Sequence, residues 1–179
     1  KGKPHYGWIK AHELTYNQAE MLFDYGQSIN QEVFFSVFAP QFVEWCEKIG
    51  VKRYKIASGF CDMPTISAIH ATGKPIVQSL IAPSLAIIGA VDWLYCPAGY
   101  PPKEVDMHRL GSESLFDGFS DHTINTDCAK IAMARQPGST IEKHFVLEHN
   151  SDFPDDAWSM DINELTELVR WEKVCKGVL

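Results

Sequence analysis

Leu115–Val146, LFDGFSDHTINTDCAKIAMARQPGSTIEKHFV, is the stretch that decides the fold. Leu115–Ser120 is an aromatic and apolar run suited to a strand, and Thr126–Arg135 reads as a helix stopped by Gln136-Pro137-Gly138. Thr140–Val146 is a second strand. Strand, helix and strand in about 30 residues make a βαβ unit, the crossover that parallel neighbours require. Upstream the same alternation continues. Strands are expected at 33–38 (VFFSVF), 54–58 (YKIAS), 75–79 (PIVQS) and 91–96 (VDWLYC). Between them, a helix starting at Thr15 carries Ala19, Leu22, Phe23 and Ile29. A second carries Phe42, Val43, Cys46 and Ile49 and stops at Gly50, and a third runs from Met63 to Ala71. Residues 84–89 and 105–110 read as thin helical pieces. Downstream, a polar loop leads to a helix over Ile162–Cys175, capped by Asp161, with Leu165, Leu168, Val169 and Val174.

Strand starts recur roughly every 16 to 25 residues, the rhythm of a parallel βα series. There is no GxGxxG or GxxxxGK[ST] turn, so a nucleotide-binding Rossmann or P-loop reading lacks its main support. Polar residues gather instead at strand C-termini, at Ser36, Ser58, Ser79, Asp121, His122 and His144, which in a βα barrel is the active-site rim. The predicted fold is α/β, an incomplete TIM-type barrel of about six parallel strands in one domain over residues 1–179. Eight strands close such a barrel. Six leave open edges with unpaired backbone groups, so a homo-oligomer or exchanged elements are expected to cover them, unless strands precede this stretch in a longer protein.

The 179 residues are 45% hydrophobic and 22% charged, with a net charge of -7. That balance can build a core and argues against broad nucleic-acid binding, which needs a basic face. The most apolar stretch, 81–91, is shorter than the roughly 20 residues of a membrane span. The opening KGKPHYGW lacks the apolar centre of a signal peptide, and a start at Lys1 leaves room for sequence upstream. Five scattered cysteines, none in a CxxC pair, suggest reduced thiols in a cytoplasmic setting.

YKIASG (54–59), FSDHT (119–123) and IEKHF (141–145), with CPAGYP (96–101) and Pro154-Asp155 before Ser159-Met160, resemble motifs of one family in order and approximate spacing. The chain resembles the N-acetylneuraminate (sialic acid) synthases and their legionaminic and pseudaminic acid relatives, from about Glu13 to Leu168. The resemblance implies condensation of phosphoenolpyruvate with N-acetylmannosamine or a related 2-acetamido sugar, with release of phosphate. It implies a divalent metal, Mn2+ or Mg2+, held by His122 and His144. It places Lys55, Ser58, Ser79 and Ser120 around phosphoenolpyruvate, and Tyr100 and Asp155 toward the sugar.

Several positions depart from the family pattern. Phe60 stands where the family usually has Glu, and Phe60 cannot do acid–base work. Ser36-Val37-Phe38 replaces Ser-Thr-Pro, Ala98 replaces an Asn, and the Gly-Met after the Ser79 strand is missing. The family's first two βα units and its C-terminal antifreeze-like domain have no counterpart in these residues. Three readings follow: an enzyme of this family, a non-catalytic barrel scaffold retaining at most metal or anion binding, or a changed phosphate- or sugar-acid-binding activity on the same rim. Taken without the resemblance, His122 and His144 would be structural histidines, Lys55 a salt-bridged strand lysine and Cys96 a packed thiol. Asp121 and Glu142 would either orient the histidines or form surface ion pairs. The acidic loop 148–156 lacks the EF-hand pattern.

Overall fold

Thr15 starts the first long helix as the sequence predicts. Its hydroxyl accepts from the Gln18 N–H while the Gln18 side chain accepts from the Thr15 N–H, a reciprocal cap. The computed structural model describes residues 6–87, 89–150 and 152–178. The reading of residues 1–5 lies outside them, as do Ile88 in the expected 84–89 piece, Ser151 in the 148–156 loop and Leu179. In order the elements are α1 (Tyr6–Ala11), α2 (Tyr16–Ser28), α3 (Pro40–Ile49), β1 (Tyr54–Ile56), α4 (Met63–Ala71), β2 (Ile76–Leu80), β3 (Ala90–Tyr95), β4 (Gly118–Asp121), α5 (Asp127–Arg135), β5 (Thr140–Lys143) and α6 (Ile162–Cys175). The sequence shows no sign of α1, which at six residues is too short to display a helical period. Short 3₁₀ turns at Pro83–Leu85 and Met107–Arg109 stand where thin helices were expected.

Packing divides the chain into two units, residues 1–55 with 61–74, and 56–60 with 75–179. In the first, α2 buries Ala19, Phe23 and Gly26, whereas Leu22 and Ile29 are exposed, so the inward stripe is narrower than the sequence suggested. Gly26 is needed, because a Cβ there would meet Val33 Cγ2 at 2.4 Å. α3 opens on Pro40, buries Val43, Cys46 and Ile49, and ends on Gly50 at φ 92°, where an L side chain would be strained. Burial, and then the Glu47 charge, push the Cys46 thiol up to about 11, which makes it a packing group. Tyr54, fully buried at the start of β1, donates from its hydroxyl to Glu47 at 2.7 Å. α4 is capped by Asp62, which accepts from the Thr65 N–H at 3.0 Å.

Residues 33–38 do not form a strand of the sheet. They meet β1 through a single parallel bridge, Ser36 to Lys55, with the Lys55 N–H donating to the Phe35 carbonyl at 3.2 Å. β1 is too short to carry more. It stops at Ile56, where residues 57–60 turn back with Phe60 N–H on the Ala57 carbonyl and Gly59 at φ 75°. Ser58 therefore sits in a turn and not at a strand end.

The sheet has five strands in chain order, β1-β2-β3-β4-β5, and β2 to β5 pair in parallel. The register fixes two faces. Leu80, Tyr95 and Phe119 point to the helix side and pack with Leu110, Phe116 and Ala132 of α5. Ala129, Met133, Met160 and Leu168 continue that layer under α6. By the two-residue period of a strand, Ser79, Leu94, Ser120 and Glu142 point the other way. Gly118 opens β4 because a Cβ there would lie 2.0 Å from the Thr140 carbonyl oxygen. Past the end of β5 the chain covers its own backbone: Met160 N–H donates to the His144 carbonyl at 2.9 Å, and Val146 N–H to the Met160 carbonyl at 3.0 Å.

Candidate active site

Within the second unit, the face opposite the helices collects most of the residues singled out in the sequence. β2 and β5 are separated by two strands, about 14 Å in a flat sheet. Yet the Ser79 hydroxyl on β2 donates to Glu142 Oε2 on β5 at 2.7 Å. The sheet must curl for that contact to form, and the curl brings the strand ends toward a common centre. Ser79 and Ser120 are both buried.

His122 follows β4 and His144 follows β5, each two residues beyond an inward-facing partner of one ladder pair, Ser120 opposite Glu142. Their rings meet edge to face with centroids 5.1 Å apart. His122 is buried, with Cys96 Sγ 3.9 Å from its Nδ1 and the Tyr100 ring edge-on at 4.2 Å. Desolvation, and next the positive potential of His144, hold the His122 imidazole below its ordinary pKa, against the opposite pull of Glu142 and Asp121. His122 therefore favours the neutral form, the one with a lone pair to offer a metal. His144 is more open, and its Nδ1 lies 3.6 Å from Asp155 Oδ2, an ion-pair distance too long for a hydrogen bond.

Tyr100 and Asp155 thus stand beside the histidines. The Tyr100 ring also meets Trp158 edge-on at 6.1 Å, and the buried Trp158 indole N–H has no partner among the described residues. The Tyr100 phenol is pushed up by desolvation, then by Cys96 and the Glu142 and Asp155 carboxylates. Lys55 is buried in β1 and belongs with the first unit. Ser58 is half-buried in the 57–60 turn. Asp121 is fully buried against Lys143, and Glu142 accepts from the Ser79 hydroxyl. The sequence reading missed Lys143, whose side chain is 1% exposed, and Trp158.

Two imidazoles side by side, one held neutral, could supply two nitrogen ligands to a divalent first-row cation. Among the described residues no three His, Cys, Asp or Glu side chains gather about one point, so a cation there would draw its other ligands from substrate and water.

A parallel βα sheet, curled so that strand-end histidine, serine and carboxylate share one face, defines an α/β protein of the incomplete-barrel class with a polar rim. The chain belongs to the NeuB family, whose model matches residues 1–176. It is 32% identical over 177 residues to the pseudaminic acid synthase of Helicobacter pylori, covering 88% of this chain and 51% of that one. It is 26% identical over 203 residues to the N,N'-diacetyllegionaminic acid synthase of Legionella pneumophila, covering 97% of this chain and 55% of that protein. The chain spans about half the length of these curated relatives. In fold it resembles the N-acetylneuraminic acid synthetase of Leptospira borgpetersenii solved with citrate, at a TM-score of 0.77 and 23% identity, over 96% of this chain and 66% of that one. Among the described residues no helix is long and apolar enough to cross a membrane.

Proposed function

We propose that this chain carries residues of a nonulosonic acid synthase site, serving the condensation of phosphoenolpyruvate with N-acetylmannosamine or a related 2-acetamido sugar. The observation that carries the reading is the His122–His144 pair, side by side on the same sheet face as the Ser79–Glu142 contact. In that reaction C3 of phosphoenolpyruvate bonds to the sugar aldehyde carbon, water adds at C2, and phosphate leaves. His122 and His144 would hold a divalent cation, which when bound supplies positive charge to the aldehyde oxygen. Burial keeps His122 neutral for that role. Ser120 offers a hydroxyl donor to the anion from inside the curl, the Ser79 hydroxyl proton is given to Glu142, and a role for Ser79 toward the anion rests on the resemblance. Tyr100 and Asp155 border the same space and suit the sugar. The roles of Lys55 and Ser58 rest on the resemblance.

Phe60 favours a second reading, a barrel scaffold that binds metal or anion without turnover, because no carboxylate stands at that position. The deciding assay is phosphate release from phosphoenolpyruvate with manganese and candidate 2-acetamido sugars, for the protein and for Phe60→Glu. Sugar-dependent release, abolished in His122→Ala, supports the synthase. If neither protein releases phosphate while both bind manganese, the scaffold reading replaces it.

A further inference from the structure

Asp121 and Lys143 are each next in sequence to one of the two histidines and face each other directly in the β4–β5 register. Their side chains point to the helix side, away from the histidine face, and are almost wholly buried at 0% and 1% exposure. The Lys143 ammonium donates to Asp121 Oδ2 at 3.2 Å and to the Thr123 carbonyl at 2.9 Å. Asp121 Oδ1 accepts from the Thr123 N–H at 2.8 Å and from the Thr123 hydroxyl at 2.7 Å. The residue before His122 is therefore hydrogen-bonded to the residue after it, a closed Asx turn with His122 at its centre. Lys143 then ties that turn to the strand that carries His144.

We propose that Asp121, Thr123 and Lys143 form a brace that sets the spacing and orientation of the His122 and His144 rings. They are positioning residues, reaching the site through the backbone of β4 and β5. This rests on the two-histidine site proposed above. A buried ion pair is a poor device for stability, since apolar side chains of similar volume commonly do as well. What this pair supplies is geometry. The loops after parallel strands are free to splay, and here both strand ends are joined on the face opposite the histidines.

The test replaces the pair by Asp121→Leu with Lys143→Met and reads two quantities. In the metal-free protein, the nuclear Overhauser contact between the His122 and His144 rings reports their spacing. In a manganese titration, the affinity reports their use. Leu168→Ala serves as a control that weakens the α6 packing and removes no hydrogen bond of the brace. The brace predicts a folded double variant that loses the ring–ring contact and binds manganese about 10- to 100-fold more weakly, while Leu168→Ala unfolds earlier in urea but keeps both. A double variant with the original ring contact overturns the proposal. Should the double variant fail to fold, Thr123→Val, which removes one bond to Asp121, carries the test. A weakened ring contact supports the brace, and an unchanged one overturns it. If the unaltered protein binds no manganese, the metal reading fails, and the metal-free ring contact still decides the brace.

Discussion

Replacing Gly118 with alanine adds one methyl group and tests the β4–β5 junction on which both histidines depend. The new Cβ would lie 2.0 Å from the Thr140 carbonyl oxygen, 2.8 Å from its carbon and 2.9 Å from its nitrogen. All three are backbone atoms of the register partner of Gly118. Carbon and oxygen do not approach within about 3 Å, so the two strands must part by about 1 Å or more. Overpacking of this kind costs about 1–3 kcal/mol. Parting the strands there also loosens the Thr140 N–H bond to the Asp117 carbonyl, now 3.1 Å, and a neighbouring ladder bond, at about 0.5–1.5 kcal/mol each. The sum is about 2–6 kcal/mol, a large part of the roughly 5–15 kcal/mol that holds a domain folded. Urea unfolding followed by far-UV circular dichroism measures it. Gly7→Ala is the matched control, since nothing lies within 4 Å of its added Cβ inside α1. The control should be neutral or stabilising by up to about 1 kcal/mol. A Gly118→Ala protein within about 1 kcal/mol of the parent would refute the close approach of β4 and β5.

Tyr54→Phe removes a buried hydroxyl that donates to Glu47 and should cost about 1–2 kcal/mol in the same urea assay; no change would mean that the bond is idle. The Asp161 carboxyl is held below its usual range, first by the Glu164 N–H and also by the Asn163 N–H at the start of α6. Its folded value lies below its unfolded one, so its stabilising effect is present above about pH 4 and is lost as pH falls through the folded value. Asp161→Asn, which caps without titrating, should flatten the acid side of the stability curve, and an unchanged acid limb would count against the cap.

Helices were the most legible part of the sequence because their signals are local. α4 and α6 lie where expected, since Asp62 and Asp161 each accept from the backbone N–H three residues further on. Strands were less legible because pairing decides their ends. Residues 33–38 read as a buried strand by composition, but the turn at 57–60 leaves β1 nothing beyond one bridge to offer them. Leu115 is exposed, and β4 begins only at Gly118, where the close approach to Thr140 starts. The two histidines that the structure brings together stand in the SDHT and EKHF segments. The brace was not legible, because a lysine beside a histidine reads as surface charge until the register sets it opposite Asp121. The Asp121–Thr123 spacing, fit for an Asx turn, was the one local signal available. The Ser79–Glu142 contact depends on sheet curl, which no local pattern encodes.

Whether the two histidines hold a metal beside phosphoenolpyruvate is decided by a manganese titration of the protein, with and without phosphoenolpyruvate, beside His122→Ala and His144→Ala. A working site predicts saturable binding that phosphoenolpyruvate tightens and that either substitution abolishes. Binding indifferent to both histidines, or none at all, would contradict it.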